Sequence, residues 1–307
     1  MDPRIIWLAE YTDVDIDPYA RILDLGFPMP YGFVIPRSIL HGIFLDLKTQ
    51  EKLIPLFELI QHNNIDDINH ARRLILKIIG KVVIPTSFSV AIHKGYEQIY
   101  EKERQYLKLK THDLHRAIHV LKHVYSPPTV NITFLPKSNI ELLATGEQSL
   151  IDTIIVAIIA NLENHLVTDK LLKIPSIMVQ RLTNGQYSGY CQTTNSAHKD
   201  TNQIVIYANH GAKMLDESAD VYIISKDTVK IRSKHLLTQP YKYVLKNGEY
   251  RKVNFHEEDG GRQVLHDSLI SQIAYMAKDI EKKLYFPQKI YWTFENGNLF
   301  VTRLRQL

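Results

Sequence analysis

The last segment of the chain, residues 280–307, restricts the possible folds more than any other stretch of the sequence. It begins with residues typical of a helix end, and Phe286-Pro287 then predicts a turn, because proline cannot continue a helix. Two runs rich in β-branched and aromatic residues follow, separated by Asn296-Gly297, a dipeptide typical of two-residue hairpin turns. The segment therefore predicts a helix, a turn and a closing antiparallel hairpin.

The two halves of the chain follow different hydrophobic patterns. In the first half, apolar residues recur at three- and four-residue steps over residues 50–124 and 148–166, which predicts helices. In the second half, short alternating runs separated by turn residues predict strands, followed by a helix over residues 261–284. We therefore predict an α/β (α+β) fold with two lobes. The N-terminal lobe, residues 1–172, is helix-rich, and the C-terminal lobe, residues 173–307, is built on a mostly antiparallel sheet.

Composition and charge exclude several classes of protein. The chain has 307 residues and a net charge of +4, and its Lys and Arg residues are scattered, which argues against a nucleic-acid partner. The one cysteine, Cys191, rules out an intramolecular disulfide and is typical of a reducing compartment. The N-terminus has no signal-peptide pattern, and the most apolar run, residues 150–162, is too short to span a bilayer. We therefore expect a cytoplasmic protein without a membrane partner.

Two groups of residues have the spacing of metal sites. Four histidines recur at steps of three and four residues on one face of a predicted helix: His112, His115, His119 and His123. They are either a transition-metal site or a solvated helix face, and no set of carboxylate or cysteine ligands accompanies them. Three aspartates resemble the start of a calcium-binding EF-hand loop: Asp13, Asp15 and Asp17. The glycine and glutamate that complete such a loop are missing, so the sequence assigns no metal ligand.

Arg303 and Arg305 stand at alternate positions of the last predicted strand. Side chains two residues apart on a strand project from the same face, so the two guanidinium groups are expected side by side. Two parallel guanidinium groups suit the oxygens of a phosphate, and surface ion pairs are the alternative.

Four segments together resemble one known family. Residues 25–35, LGFPMPYGFVI, are similar to its LGxPVPPGFVI motif, and residues 177–182 are similar to its VVVQxMV strand. Residues 219–224 resemble its PDxYxV motif, and residues 280–305 resemble its ending, IExxxGxPQDIEWTxxxGxLyiLQTR. The family is the N-terminal nucleotide-binding domain of phosphoenolpyruvate synthase and pyruvate phosphate dikinase, which has an ATP-grasp fold. The matches occur in the same order over nearly the whole chain.

The resemblance implies positions for a bound ATP. The adenine would pair with the backbone of a hinge formed by Val179, Gln180, Arg181 and Leu182. A loop covering the phosphates would be formed by Gly146, Glu147 and Gln148. Arg305 would lie beside the γ-phosphate, and Arg303 would occupy the position of the glutamine that precedes it in the family.

The sequence departs from the family at charged positions. The lysine-bearing GGKGA loop is absent, and Thr133 stands where an arginine contacts phosphate. Two glutamates of the family are replaced, one near Ala212 and the other by Tyr291, and Arg303 replaces a glutamine. Losing two cations costs about 3–6 kcal/mol of phosphate binding, and losing carboxylates removes the oxygen ligands that Mg²⁺ requires. The resemblance therefore implies ATP as a ligand but a poor site for Mg²⁺.

Two functions from the resemblance and one from the histidines remain open. The first is a catalytically degenerate nucleotide-binding module that acts in binding or regulation. The second is an active ATP-dependent phosphotransferase module that works with a separately encoded partner carrying the phosphohistidine or acceptor domain. The chain ends where the family's module ends, so the phosphohistidine and pyruvate-binding domains are expected to be missing. The third is a metal-binding protein that uses the histidine face.

Overall fold

The computed structural model describes residues 5–10, 22, 25–61, 64–109, 127–135, 141–165, 174–214, 216–246, 248–255 and 260–307. The four histidines and three aspartates proposed above as candidate metal ligands lie outside these residues. The chain divides into two compact units. Unit 1 comprises Met1–Tyr11 and Tyr31–Leu182, and unit 2 comprises Thr12–Pro30 and Thr183–Leu307.

Unit 1 contains a five-stranded antiparallel sheet. Its strands are β1 (Ile6–Trp7), β2 (Gly32–Ile35), β3 (Thr129–Leu135), β4 (Glu141–Thr145) and β5 (Ser176–Arg181). Their order across the sheet is β1-β2-β5-β3-β4. Val179 at the centre is paired with Phe33 on one side and Ile132 on the other, and all three side chains are fully buried. These residues form the sheet side of the unit's core.

The helices of unit 1 supply the rest of that core. They are α1 (Arg37–Phe44), α2 (Leu47–Gln61), α3 (Ile65–Ile79), α4 (Thr86–Leu109) and α5 (Glu147–His165). Helix α4 approaches β2 closely at Gly95, where an added Cβ would lie 2.8 Å from the Phe33 ring. Helix α1 begins after Pro36, which has an extended backbone and provides no side-chain cap.

Unit 2 contains a six-stranded antiparallel sheet, a separate hairpin and one long helix among its described residues. The strands of the sheet are β6 (Tyr187–Gln192), β7 (Gln203–His210), β8 (Asp220–Ser225), β9 (Ile231–His235), β12 (Gln288–Glu295) and β13 (Asn298–Gln306), in the order β13-β12-β6-β7-β8-β9. The hairpin is β10 (Tyr241–Lys246) and β11 (Glu249–Asn254), and the helix is α6 (Asp267–Leu284). The apolar side of α6 shares one core with Cys191, Ile206 and Trp292 of the sheet. The helix, turn and closing hairpin predicted for residues 280–307 are all present.

The structure confirms the α+β class but divides the chain differently from the sequence prediction. A boundary after residue 172 would place β5 in the C-terminal lobe, whereas β5 pairs with β2 and β3 of unit 1. Residues near the N-terminus also belong to unit 2, where Ile22 is buried and the Pro28 carbonyl accepts a hydrogen bond from Val301 N–H. Strand character does not show which sheet a strand joins, and this explains the difference. No helix in the described ranges is long and apolar enough to cross a membrane.

Asp220 on β8 connects this strand to other parts of unit 2 through hydrogen bonds. Its carboxylate is buried and accepts hydrogen bonds from Tyr222 Oη at 2.8 Å, Val264 N–H at 2.8 Å and Leu237 N–H at 3.0 Å. Burial raises the pKa of the Tyr222 hydroxyl, so that group remains a donor. The residues that resemble the family's PDxYxV motif therefore have a structural role, because Asp220 ties two loops to β8.

Replacing Asp220 with alanine should lower the free energy of unfolding by about 3 kcal/mol or more, because three buried donors lose their acceptor. The measurement is urea denaturation followed by fluorescence in a Trp7→Phe background, where Trp292 reports on unit 2. Asp279→Ala is the control, since its pair with Lys283 lies on the surface, and it should change stability by less than about 1 kcal/mol. Equal effects of the two variants would contradict the structural role of Asp220.

Candidate functional site

A β-bulge in the closing hairpin determines where Arg303 and Arg305 project. Trp292 is opposite Val301, but Tyr291 is opposite Arg303, so the pairing shifts by one residue between them. Val301 and Leu304 are both buried in the core of unit 2, which a strand without the extra residue could not achieve. The bulge therefore turns Arg303 and Arg305 to the sheet face opposite α6. The two arginines share a face, as the sequence predicts.

That face carries three tyrosines and three cations, which we call the tyrosine–cation face: Tyr190, Tyr207, Tyr291, Lys289, Arg303 and Arg305. Lys289 is opposite Arg305 in the hairpin, and Tyr291 is opposite both Arg303 and Tyr190 of the neighbouring strand. Tyr190 is in turn opposite Tyr207. The side chains therefore form two adjacent rows. One row crosses all four strands, β13, β12, β6 and β7, and consists of Arg303, Tyr291, Tyr190 and Tyr207. The other row consists of Arg305 and Lys289 on β13 and β12.

Two of the three cations of the tyrosine–cation face, Lys289 and Arg303, lie over aromatic rings. Lys289 Nζ is 3.7 Å from the ring centre of Tyr190 and 5.3 Å from that of Tyr291. Arg303 Cζ is 5.3 Å from the ring centre of Tyr291. The Tyr190 and Tyr207 rings stack with their centres 4.5 Å apart. Each such contact contributes about 0.5–1 kcal/mol at an exposed site, so the rings hold the cations in place while leaving their N–H groups available to a ligand.

Sequence analysis found three members of this face and missed the other three. Arg303, Arg305 and Tyr291 were identified, whereas Lys289, Tyr190 and Tyr207 were not. Lys289 stands two residues before Tyr291, so strand alternation alone could have placed it on the same face. The two remaining tyrosines required knowledge of which strands are neighbours.

The hinge residues assigned from the resemblance lie at the centre of the unit 1 sheet. Arg181 N–H donates to the Tyr31 carbonyl at 2.9 Å, and Leu182 N–H donates to the Thr129 carbonyl at 2.9 Å. Val179 and Gln180 are paired on both sides by β2 and β3. The N–H groups of Arg181 and Leu182 are thus already used within the sheet, which limits the donors this segment offers to an adenine.

Arg181 is buried rather than open to a ligand. Its side chain is 3% exposed, its Nε lies 3.3 Å from Glu103 Oε2, and its guanidinium lies over the Tyr31 ring at 5.4 Å. A buried arginine paired with a carboxylate has a structural explanation that involves no nucleotide. The side chain of Arg181 therefore fixes the end of β5 against α4.

The segment assigned to the phosphate loop begins helix α5. Gly146 has a φ of +89°, a conformation that favours glycine. Glu147 Oε2 lies 2.6 Å from His93 Nδ1, and Gln148 Nε2 donates to Asp152 at 3.1 Å. A helix N-terminus attracts an anion, but here the carboxylate of Glu147 already occupies the first turn. This carboxylate would repel a phosphate placed beside it.

Two positions where the family has charged residues are neutral in this chain. Thr133 is buried on β3, opposite Met178. Ala212 has its backbone N–H bonded to the Tyr243 carbonyl at 2.8 Å, and its side chain is a methyl group. The structure therefore places no charge at either position.

Comparison with known proteins identifies the region that contains the tyrosine–cation face. A family model described as pyruvate phosphate dikinase, AMP/ATP-binding domain, matches residues 163–307. The match covers all six residues of the tyrosine–cation face.

Similarity to whole proteins extends to the rest of the chain. A probable phosphoenolpyruvate synthase of Methanocaldococcus jannaschii is 22% identical over 99% of this chain and 26% of its own length. A probable phosphoenolpyruvate synthase of Pyrococcus horikoshii is 31% identical over 43% of this chain and 18% of its own length. The chain thus spans about a quarter of the first of these relatives.

Solved structures show a weaker likeness. D-alanine–D-alanine ligase from Bacillus anthracis aligns with 77% of this chain and 64% of its own, at 12% identity and a TM-score of 0.30. Phosphoribosylglycinamide synthetase from Anaerococcus prevotii aligns with 71% of this chain and 44% of its own, at 12% identity and a TM-score of 0.25.

The backbone that precedes α5 is held by one tyrosine. Tyr96 Oη donates to the Pro128 carbonyl at 2.6 Å and accepts from Gly146 N–H at 2.8 Å. Burial raises the pKa of the Tyr96 hydroxyl to about 12, compared with 10.0 for an unperturbed tyrosine. Its stabilising contribution is therefore complete below pH 10 and is lost as the pH rises through about 12.

Tyr96→Phe should lower the free energy of unfolding by about 1–3 kcal/mol, because it leaves the Gly146 N–H and the Pro128 carbonyl without their partner. Hydrogen exchange at Gly146 should accelerate, and the loss of stability between pH 10 and 12 should become smaller. The control is Tyr275→Phe, whose side chain is on the surface and which should leave both measurements unchanged. Unchanged exchange at Gly146 in the Tyr96 variant would show that the bridge does not hold the loop.

Proposed function

We propose that the chain is a nucleotide-binding module whose tyrosine–cation face binds the phosphates of ATP without a metal ion, and that it acts in binding or regulation. The observation that carries the proposal is the shared position of Lys289, Arg303 and Arg305 on one sheet face, within the residues that match a model of an AMP/ATP-binding domain. Val179–Leu182 and Gly146–Gln148 of unit 1 remain predicted nucleotide contacts on the resemblance alone.

The charge of this face suits a triphosphate. Arg303 and Arg305 offer planar groups with several N–H donors, and Lys289 adds a third positive charge in the adjacent strand position. A hydrogen bond between a charged group and phosphate contributes about 1.5–3 kcal/mol. Two such bonds correspond to a hundredfold or greater gain in affinity. Contact with the tyrosine rings reduces the entropy lost when the cations are fixed by a ligand.

Mg²⁺, which phosphoryl transfer from ATP requires, does not fit this face. Magnesium takes oxygen ligands, usually with one or two carboxylates among them. Tyr291 offers a phenol, and the neighbouring groups Lys289 and Arg303 are cations that oppose a second positive ion. We therefore derive no catalytic step through a metal on this face.

The second candidate is an active phosphotransferase module that works with a separate acceptor protein. The retained Arg305 favours it, because this arginine is exposed and occupies the position that the resemblance assigns beside the γ-phosphate. The relatives named phosphoenolpyruvate synthase are much longer than this chain, so that activity would require further domains. Product analysis distinguishes the two candidates.

ATP should bind in the presence of EDTA at least as tightly as in the presence of MgCl₂, because the cations replace the metal. Arg303→Ala and Arg305→Ala should each weaken binding about tenfold or more, as measured by isothermal titration calorimetry. Arg73→Ala, an equal loss of charge at an exposed position of unit 1, should leave the affinity unchanged. Binding that requires Mg²⁺ and yields ADP or AMP would refute the proposal and support the phosphotransferase.

A double variant tests the reason for metal independence. Tyr291→Glu with Arg303→Gln restores the carboxylate and amide that the resemblance assigns to these positions. We expect Mg²⁺ to increase the ATP affinity of this variant about tenfold, because a carboxylate now offers the metal an anionic oxygen. The control is Tyr291→Gln with Arg303→Gln, because glutamine at residue 291 has nearly the shape of glutamate but no negative charge. Mg²⁺ should not increase the ATP affinity of this control. The same magnesium response in both variants would mean that residue 291 does not face the ligand.

A further inference from the structure

A second basic region lies outside the tyrosine–cation face. Although Lys and Arg are scattered over most of the sequence, residues 228–254 contain seven of them and a single acidic residue, Glu249. Four of the seven are on the two-stranded hairpin of unit 2: Lys242, Lys246, Arg251 and Lys252. With Lys213, whose side chain lies against the same strands, we call this element the basic hairpin.

Aromatic rings are interleaved with the cations of the basic hairpin. Lys252 Nζ is 3.7 Å from the ring centre of Tyr241. Lys213 Nζ is 5.3 Å from the ring centre of Tyr243 and 5.7 Å from that of Tyr250. The strand register places Tyr243 opposite Lys252 and Leu245 opposite Tyr250, so these rings share one side of the hairpin. Lys252 and Lys213 accompany the rings on this side, whereas the other hairpin cations project from the opposite side: Lys242, Lys246 and Arg251.

The basic hairpin is anchored along β10, and β11 is its exposed strand. Leu245 N–H donates to Asn184 Oδ1 at 3.0 Å, and the Tyr243 carbonyl accepts from Ala212 N–H at 2.8 Å. An added Cβ at Gly211 would lie 2.3 Å from the same carbonyl, so the backbones approach as closely as glycine allows. No residue of either strand is buried, and most of β11 is fully exposed. The surface is held rigidly and is accessible to a large ligand.

We propose that the basic hairpin binds single-stranded nucleic acid. Each nucleotide combines a negatively charged phosphate with a base that stacks on aromatic rings. A lysine beside a tyrosine, as in Lys252 with Tyr241 and Lys213 with Tyr243, matches both parts of one nucleotide. Such pairs of contacts favour no particular base, because every base has a flat face, so we expect little sequence preference.

The same surface fits other anionic partners less well. An acidic protein segment would satisfy the cations but has no base to stack on the tyrosines. A membrane surface is bound by apolar side chains inserted among the lipids, whereas the described residues at the hairpin tip are Lys246, Gly248 and Glu249. Ring and charge together therefore favour nucleic acid.

Fluorescence anisotropy with labelled single-stranded oligo(U) and oligo(dT) tests this inference on the whole chain. With two phosphate contacts, from Lys213 and Lys252, the logarithm of the binding constant should fall with the logarithm of the salt concentration with a slope of about −1.4. The variant Lys213→Gln/Lys252→Gln should weaken binding about tenfold or more and remove most of this slope. Tyr250→Leu should weaken binding without changing the slope, since it removes stacking and no charge.

The matched control is Lys48→Gln/Lys52→Gln, which removes the same charge from exposed helix positions in unit 1. It should bind as the unchanged protein does, and an equal loss in both double variants would overturn the proposal in favour of general charge attraction. Displacement of the oligonucleotide by polyglutamate at equal charge would indicate an acidic protein partner instead. Full displacement by ATP would assign the binding to the tyrosine–cation face. Because the two faces have separate variants, failure here leaves the proposed nucleotide function intact.

Discussion

The bulge between β12 and β13 is the constraint on which the candidate site depends. Val301 and Leu304 are both buried against α6. Leu304 is three residues after Val301, and in a regular strand two residues three apart would point to opposite faces of the sheet. One extra residue in β13 resolves the conflict and sends Arg303 and Arg305 to the opposite face. The alternative register would bury an unpaired guanidinium, which costs several kcal/mol. Core packing therefore decides where the positive charge of the site lies.

The strand β12 supplies both core residues and residues of the candidate site. Alternate residues of β12 point to opposite faces, so Ile290 and Trp292 maintain the core while Lys289 and Tyr291 form the ligand face. A substitution on the outer face has little effect on packing. Unit 2 can thus keep its packed core while presenting cations and phenols where the resemblance implies a carboxylate and an amide.

Patterns contained within a single element were predictable from the sequence. The closing helix, turn and hairpin follow from one proline, one Asn-Gly pair and strand alternation, all of which act over a few residues. Relations between distant segments were not predictable in the same way. Strand β5 follows the composition change near residue 173 but pairs with β2 and β3, because pairing depends on the neighbours that the rest of the chain supplies. The hinge prediction shared this weakness, since it could not show that the N–H groups of Arg181 and Leu182 bond within the sheet.

The sequence by itself determined the element types, the α+β class, the family resemblance and the common face of Arg303 and Arg305. Each of these depends on local periodicity or on an ordered set of motifs. Only the tertiary structure decided that Tyr190 and Tyr207 join that face, that Glu103 pairs with Arg181, and that two units divide the chain as they do. The physical reason is that side chains far apart in the sequence interact only after strands pair and helices pack, and these long-range contacts bring the cations and the rings together.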